Sequence, residues 1–436
     1  MDFSTKAMTE ITTLMAEEIG KQIETDEINK LEDIENGIRE MLKEIGQQAY
    51  GKVLEREDQK LGKSVRCECG LKARRISKRE AKVLTVFGWI SYHRSYYGCS
   101  RCGKKSNRLD QDWGIHPGEV SPVMGRLLAI AGVDIAFERA RRKIQEFLLV
   151  EVSDNTIRKQ TQLMGEKQAH VEAQWIRDSH DETWLQDRER EIENVPDRLY
   201  GSMDGAQVPI GEEWRELKSL SWYRVAPVYG QEQPKAQEIS YHTEIAPAQD
   251  FGRLVWATGV RRLADKAKEL IFVCDGAAWI WKLVSHYFPH AVQIVDWYHA
   301  CEYLPPIADA AFSQEAERQK WLQKVIDWLW YGHVEKVIQA CQQYRHHNLA
   351  ADPAQRAVTY FTNNQHRMDY DTFRKKGYWI GSGTVESACK QIATARLKIA
   401  GARWTLSGAV ATAKARAAWL SDGDCFNALS SLSLTV

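Results

Sequence analysis

Apolar residues recur at helical spacing through residues 5–60, a stretch with few glycines and no proline. Ile11, Leu14 and Met15 with Glu18 mark one face, and Ile34, Ile38, Met41, Leu42 and Ile45 another, so the period predicts helices. The pattern changes over residues 64–108. Val83-Leu84-Thr85-Val86-Phe87 and Trp89-Ile90-Ser91-Tyr92 are β-prone runs between cysteines and basic residues, and they predict a small β-rich module. Helical spacing returns over residues 120–170. It starts at Met124, Leu127, Leu128, Ile130 and Ala131, continues from Phe137 to Leu149, and breaks at Val150-Glu151-Val152-Ser153. A second helix is predicted from Asp154 to about Gly165, with Ser153 or Asp154 as its N-cap. Helix, short turn and capped helix fit a helix-turn-helix. Residues 171–195 read as a charged helical connector.

From Arg198 the pattern is that of strands: Leu199–Met203, Leu217–Val228 and Gln237–Thr243, with Gly211 and Gly230 at hairpin-like spacing. A helix from about Asp250 to Leu270 leads into the strand Ile271–Cys274. Another, Ala277 to Tyr287, leads into Ala291–Val295. Three strands followed by alternating helix and strand predict a mixed sheet with helices on its faces, which matches an RNase H-like arrangement. Residues 300–370 are nearly all helical in pattern. The predicted organisation is a multidomain α/β protein. An N-terminal acidic helical region (1–60) precedes a zinc-ribbon-like basic module (61–118). A helix-turn-helix-like region with its connector (119–195) follows, then an RNase H-like mixed-sheet core (196–436) carrying an all-α insertion at about 300–375.

Charge sharpens this division. The formal net charge is zero, but residues 1–60 hold 15 acidic and 8 basic side chains, whereas residues 61–108 hold 13 basic and 2 acidic ones. A block so basic is the electrostatic footprint of a phosphate-binding face. Arg74, Arg75, Lys78, Arg79, Lys82, Lys104, Lys105 and Arg108 flank the cysteines, with Trp89, Tyr92, Tyr96 and Tyr97 between them, and duplex DNA is the expected partner. The alternative is a solvated face that balances the acidic helices. If the helical pair reads sequence, Asn155, Arg158 and Lys159 begin its second helix, the base-reading end. No signal-peptide pattern and no run of about 18 apolar residues is present, so the expected location is cytoplasmic with no membrane contact.

Two cysteine pairs close the basic module: Cys67-Glu68-Cys69-Gly70 and Cys99-Ser100-Arg101-Cys102-Gly103. Four thiolates on two facing turns suit a structural Zn²⁺, with no open position for catalysis. The first pair has a one-residue spacer where two residues are commoner. Two ordinary turns with free thiols are the alternative. Cys274, Cys301, Cys341, Cys389 and Cys425 stand alone and read as reduced, buried small hydrophobes.

The chemistry rests on carboxylates. Asp204 in Met203-Asp204-Gly205 and Asp275 in Cys274-Asp275-Gly276 each end an apolar, strand-like run. Glu386 in Ser382-Gly383-Thr384-Val385-Glu386-Ser387 opens a helix-like stretch that reaches Gly401-Ala402-Arg403-Trp404. Three such acids can converge on two divalent cations. One cation then activates the attacking oxygen of a phosphoryl transfer and the other stabilises the leaving one. An Asp-Gly pair alone is only a turn signal; it is the strands before it and the helical glutamate after it that point to chemistry. Asp296-Trp297-Tyr298-His299 lies at the end of the next strand, where His299 could orient a ligand, hold a water or contact a phosphate.

These motifs, together with Ala277-Ala278-Trp279-Ile280-Trp281, Gly381 and Ala395-Arg396-Leu397-Lys398, resemble bacterial insertion-sequence transposases of the ISKra type, related to Mutator-like DDE transposases. The resemblance covers most of the chain from about residue 60. It implies an RNase H-like core and a helical insertion between the second aspartate and the glutamate. Asp204, Asp275 and Glu386 would be the catalytic triad on two Mg²⁺ or Mn²⁺ ions, with Asp296 and His299 as accessory residues. The expected function is binding of the element's ends, cleavage there and strand transfer into target DNA, by a homo-oligomer assembled on DNA. Arg396, Lys398, Arg403 and Lys414 would face the DNA backbone. Two other classes compete: a catalytically silent DNA-binding protein derived from a transposase, and a carboxylate-dependent hydrolase such as a glycosidase, for which two acids suffice.

Overall fold

In a computed structural model of the chain, residues 5–24, 30–116, 118–227 and 234–432 are described. Gly230, expected at a hairpin, lies outside them. The chain forms two compact units, Met1–Gln160 and Thr161–Val436.

The first unit starts with α1 (Thr5–Glu24) and α2 (Leu31–Lys60). Their helical period is as expected, but Ile11, Leu14, Ile38, Leu42 and Ile45 are exposed rather than packed. The side of α2 that is buried instead carries Gly51, Leu54 and Asp58. Asp58 accepts hydrogen bonds from the Ser95 amide and hydroxyl, both at 2.7 Å, which docks α2 on the sheet. That sheet is β1 (Ser64–Arg66), β2 (Lys72–Thr85), β3 (Gly88–Gly98) and β4 (Lys105–Ser106), antiparallel in this order.

Next come α3 (Arg108–Trp113), α4 (Pro122–Asp134) and α5 (Phe137–Leu148). The Ser121 side chain caps α4, whose first residue is Pro122, a favoured pairing because neither position needs a helical donor. Leu149 ends α5 in the left-handed region at φ 56°. Then α6 (Asp154–Asp178) starts, with Ser153 Oγ accepting the Thr156 amide at 3.0 Å. Ser153 is therefore the cap. Met124, Leu128, Ala140, Ile144, Val150 and Ile157 form the core under the α5–turn–α6 pair.

Helix α6 does not stop near Gly165 but runs unbroken to Asp178. Gly165 is a packing residue, not a terminator: a Cβ there would come within 1.7 Å of the Ala411 carbonyl oxygen. After α7 (Glu182–Glu191) the second unit builds its sheet from β5 (Arg198–Ile210), β6 (Glu213–Ala226), β7 (Lys235–Glu244), β8 (Glu269–Cys274) and β9 (Val292–Val295). The order is β7-β6-β5-β8-β9. β5, β6 and β7 form an antiparallel meander, while β5–β8 and β8–β9 are parallel. The crossovers are α8 (Ala248–Arg261) and α9 (Ala278–Tyr287). On their side of the sheet, fully buried Trp222 meets Phe272 and Phe288 edge-on and donates its indole N–H to Thr258 Oγ1 at 3.0 Å. Truncating such a residue typically costs about 3–5 kcal/mol.

Between β9 and the C-terminal segment the chain is helical: α10 (Trp297–Cys301), α11 (Pro305–Ala311), α12 (Glu315–Trp330), α13 (Val334–Gln342), α14 (Ala351–Asn364) and α15 (Tyr370–Lys375). Val325, Leu329, Val337 and Phe361 share one core with the sheet. The chain then forms α16 (Gly383–Ala388), a π-helical turn over Cys389–Leu397, α17 (Leu406–Leu420) and α18 (Cys425–Ser431).

Candidate catalytic and metal sites

Strand register places three aspartates side by side. The parallel pairing that sets Gly201 beside Phe272 continues, as a contact rather than a ladder, to Met203, whose amide donates to Cys274 Sγ at 3.3 Å. One residue on, Asp204 is level with Asp275. The pairing of Cys274 with Val295 likewise brings Asp275 level with Asp296, and the Asp296 amide donates to the Cys274 carbonyl at 2.8 Å. The row lies where β8 and β9 end, the side of an α/β sheet on which ligands gather. Asp204 is not at a strand end as expected: β5 continues to Ile210 because it stays paired with β6 after β8 has stopped.

The first two acids feel each other. Burial raises the Asp204 carboxyl above its usual range; the Cys389 thiol's hydrogen bond opposes this and the Asp275 charge adds to it. Burial also raises Asp275; the Ala277 amide, donating to its Oδ1 at 2.9 Å, and His299 oppose, while Asp296 and Glu216 add. Asp296 is 4 % exposed, and its carboxylate caps α10 through the His299 amide at 2.7 Å while also accepting the Ser382 amide. It thus clips the end of β9 to the turn that starts α16. His299 faces Asp204 and Asp275 electrostatically, with Nδ1 3.3 Å from Glu302.

Helix α16 lies on the Asp204 side of the sheet. Tyr223 and Ser202, whose hydroxyls are 3.0 Å apart, point to that side, and Thr384 bonds Tyr223. Cys389, one turn beyond Glu386, lies against Asp204 and acts on its carboxyl. Glu386 itself is exposed and paired with Lys390 at 2.5 Å. The structure therefore brings its helix to the aspartates, but not its carboxylate.

Sequence reasoning missed Cys389 as a partner of Asp204, and it missed Tyr360, whose hydroxyl donates to the Asp275 carbonyl at 2.8 Å. It also missed Glu216, which is paired with Lys218 at 2.6 Å. A lone cysteine in a helix and a tyrosine some 85 residues away carry no local signal. Of the remaining cysteines, Cys274 and Cys341 are buried as expected, but Cys301 is only partly so and Cys425 is exposed.

The C-terminal cations divide. Lys398 and Arg403 are exposed. Arg396, 1 % exposed, lies 5.2 Å over the Trp404 ring, and that indole N–H donates to the Leu397 carbonyl at 3.0 Å. Lys414, 3 % exposed, reaches Glu172 at 2.5 Å and Glu244 at 2.9 Å. Neither side chain offers a surface to a phosphate, so the expected DNA contact is withdrawn for Arg396 and Lys414. Both are fold residues.

In the first unit Cys67, Cys69, Cys99 and Cys102 cluster with their sulfurs within 4.8 Å of one another, and could hold a metal ion such as zinc. Cys67–Cys102 and Cys69–Cys99 are each 3.6 Å apart. Sulfurs at about 2.3 Å from a central zinc would be separated by about 3.8 Å, so the cluster has the size of a tetrahedral site. The backbone amides of Cys102 and Arg101 pull the Cys99 thiol down to about 6. At Cys67 the downward pull of the Cys69 amide is outweighed by burial and the neighbouring thiols, which push it up to about 11, so a bound metal would have to displace the Cys67 proton. Left-handed Gly70 (φ 84°) and Gly103 (φ 70°) close the two turns. The one-residue spacer of the first pair does not prevent convergence. Purified protein is expected to carry one zinc per chain, measured by elemental analysis. Cys99→Ser is expected to lose it and to lower the melting temperature of the first unit.

Arg74, Arg75, Lys78, Arg79 and Lys82 are exposed along β2, as are Lys104 and Lys105. Arg79 lies 4.2 Å over the Tyr96 ring, and Lys104 pairs with Glu68. At the start of α6, Asn155 and Lys159 are exposed, whereas Arg158 is partly buried and donates to Asn155 Oδ1 at 2.5 Å. Among the described residues no helix is long and apolar enough to cross a membrane.

Residues 24–184 match an uncharacterised protein family, UPF0236. Comparison with curated proteins gives no match.

Proposed function

We propose that this chain is a DDE transposase, a metal-dependent polynucleotidyl transferase similar to the ISKra-type enzymes, which binds the ends of its element, cuts there and joins them to target DNA. The observation that carries the reading is that Asp204 on β5 comes level with Asp275, just past the end of its parallel neighbour β8, in a β7-β6-β5-β8-β9 sheet. That strand order, with its antiparallel meander and two parallel strands, supports an RNase H-like core.

Asp204 and Asp275 suit a divalent cation as a pair, whereas among the described residues no third acid lies close enough to share an ion with them. Asp204 and Asp275 are mostly buried, raised above their usual range by that burial, and the Asp275 charge raises Asp204 further; a hard cation on oxygen ligands would relieve both effects. Asp204, Asp275 and Glu386 would hold Mg²⁺ (or Mn²⁺), which when bound would supply activation of an attacking oxygen and stabilisation of the leaving one. Asp296 positions the turn before α16, Tyr360 fixes the backbone of Asp275, and Cys389 lies against the Asp204 carboxylate. Glu386 would have to leave its exposed pair with Lys390, one of small worth, and turn inward to join the two aspartates. The four-cysteine module would be a structural zinc site presenting the basic strand β2 to duplex DNA, and the enzyme would act in the cytoplasm as an oligomer on DNA.

That same outward Glu386 favours the second reading, a silent DNA-binding protein of transposase descent. Both readings predict DNA binding, and metal binding separates them. Filter binding of random duplex should show affinity falling with salt, with a slope near −0.9 per phosphate contacted. Reversing Arg74, Arg75, Arg79 and Lys82 to Glu should flatten that slope. Millimolar Mg²⁺ should raise the melting temperature of the transposase; a silent protein would bind DNA and show no such rise. A protein that binds duplex with no salt dependence contradicts both.

A further inference from the structure

We infer that the cleft between α9 and α14 holds one unpaired nucleotide of the DNA strand beside the reacting phosphate; this rests on the nucleic-acid reading above and adds a strand-holding pocket to its site. The cleft has a volume of about 810 Å³, within the roughly 300–1,000 Å³ usual for small-ligand sites. It adjoins the aspartate row, because Gly276 and Tyr360 form part of its wall and the Tyr360 hydroxyl holds the Asp275 carbonyl at 2.8 Å. Gly276 sits at φ +100°, and a Cβ there would meet the Tyr360 ring at 2.9 Å. Backbone and ring are therefore in close contact at the point where the cleft meets Asp275.

The lining has three chemistries together. Lys282 and Arg356 are exposed cations, and no carboxylate lines the cleft among the described residues. Among the described residues Arg356 forms an exposed ion pair with Asp352 at 3.3 Å, which a phosphate could displace. Side-chain amides of α14 supply neutral donors and acceptors. Aromatic surface completes it: Tyr303 and Tyr360 are stacked at 3.9 Å and 14°, and Arg367 lies 4.7 Å over Trp281, whose buried indole N–H has no acceptor in the protein. A bare phosphate has no use for the rings, and an apolar ligand none for the cations. A nucleotide uses all three. Bases inside a duplex have both faces covered by neighbours, so a base that enters a cleft to stack on protein rings has left the helical stack.

The test is fluorescence anisotropy of the full chain with a labelled single strand and with a duplex of the same sequence. Two variants are used: Lys282→Ala with Arg356→Ala removes charge, and Thr359→Trp, at an exposed position on the cleft wall, fills space without changing charge. Single-strand affinity is expected to fall about tenfold or more in both, with duplex affinity held within about twofold, since base–aromatic contacts and phosphate pairing each carry effects of that order. Unchanged single-strand affinity in Thr359→Trp, or equal weakening of both probes, overturns the inference. Wild-type protein that binds duplex but no single strand also overturns it and leaves the transposase reading standing; protein that binds neither refutes both.

Discussion

Replacing Asp204 with Asn is expected to abolish magnesium-dependent DNA cleavage while making the metal-free protein more stable. The two effects have one origin. The carboxylate is mostly buried, held above its usual range by that burial, with the Asp275 charge adding to it. The amide keeps the shape and can keep the bond that Oδ1 accepts from the Gly205 amide at 2.6 Å, but it removes the charge that binds a cation. Losing one ligand of a two-metal site costs several kcal/mol of transition-state stabilisation, so a rate drop of about a thousandfold or more is expected.

The stability change has a definite sign with pH. A carboxyl raised in the folded state destabilises the protein at neutral pH, above its folded value. That cost fades as pH falls through the folded value, and is gone below the unfolded one. The melting temperature of Asp204→Asn should therefore exceed that of wild type at pH 7, with the gap closing on acidification. Magnesium should close it from the other side by stabilising only the wild type. An Asn variant that melts lower at pH 7 without metal would make Asp204 a structural residue.

Lys414→Met is expected to be strongly destabilising. Lys414, Glu172 and His242 are buried together, with Glu172 bonded to Lys414 at 2.5 Å, to His242 at 3.0 Å and to Gln168 at 2.9 Å. They fasten the later part of α6 to β7 and α17. Removing the lysine strands a buried carboxylate, a change that costs about 3–5 kcal/mol. Adding Glu172→Gln should recover part of the loss, because the stranded charge goes too.

Burial alone would raise Glu172, but the Lys414 charge and the His242 hydrogen bond outweigh it and hold it down at about 2. A depressed carboxyl contributes stability that is full above its unfolded value, about 4.5, and is lost as pH falls towards 2. Wild type should thus lose stability across that window more steeply than the double variant, measured by denaturant unfolding at stepped pH. Equal stability of Lys414→Met and wild type would place this lysine at the surface.

What the sequence revealed and what it hid follow from range. Local chemistry was legible: the Ser153 cap, the strand runs before Asp204 and Asp275, and the cysteine pairs on their turns. Each depends on residues a few positions apart. Strand register is not local. Nothing near Asp204 announces that Asp275 lies level with it, or that Asp296 spends its carboxylate on Ser382. Cations mislead for the same reason. Lys414 sits in an alanine-rich helix, and its burial is decided by Glu172 and Glu244, both far away in sequence. Gly165 read as a helix end because the neighbour that explains it, Ala411, is equally remote. The apolar stripes of α1 and α2 gave the right period but did not mark the buried side.

Strand cleavage tests the central claim most directly. The full chain would be incubated with supercoiled DNA carrying the sequences that flank its gene, with Mg²⁺ or with EDTA. Nicked or linear product that forms only with the metal, and disappears in Asp204→Asn and Asp275→Asn, is the predicted result. Tight binding to that DNA with no cleavage in Mg²⁺ or Mn²⁺, or cleavage that survives both substitutions, would contradict it.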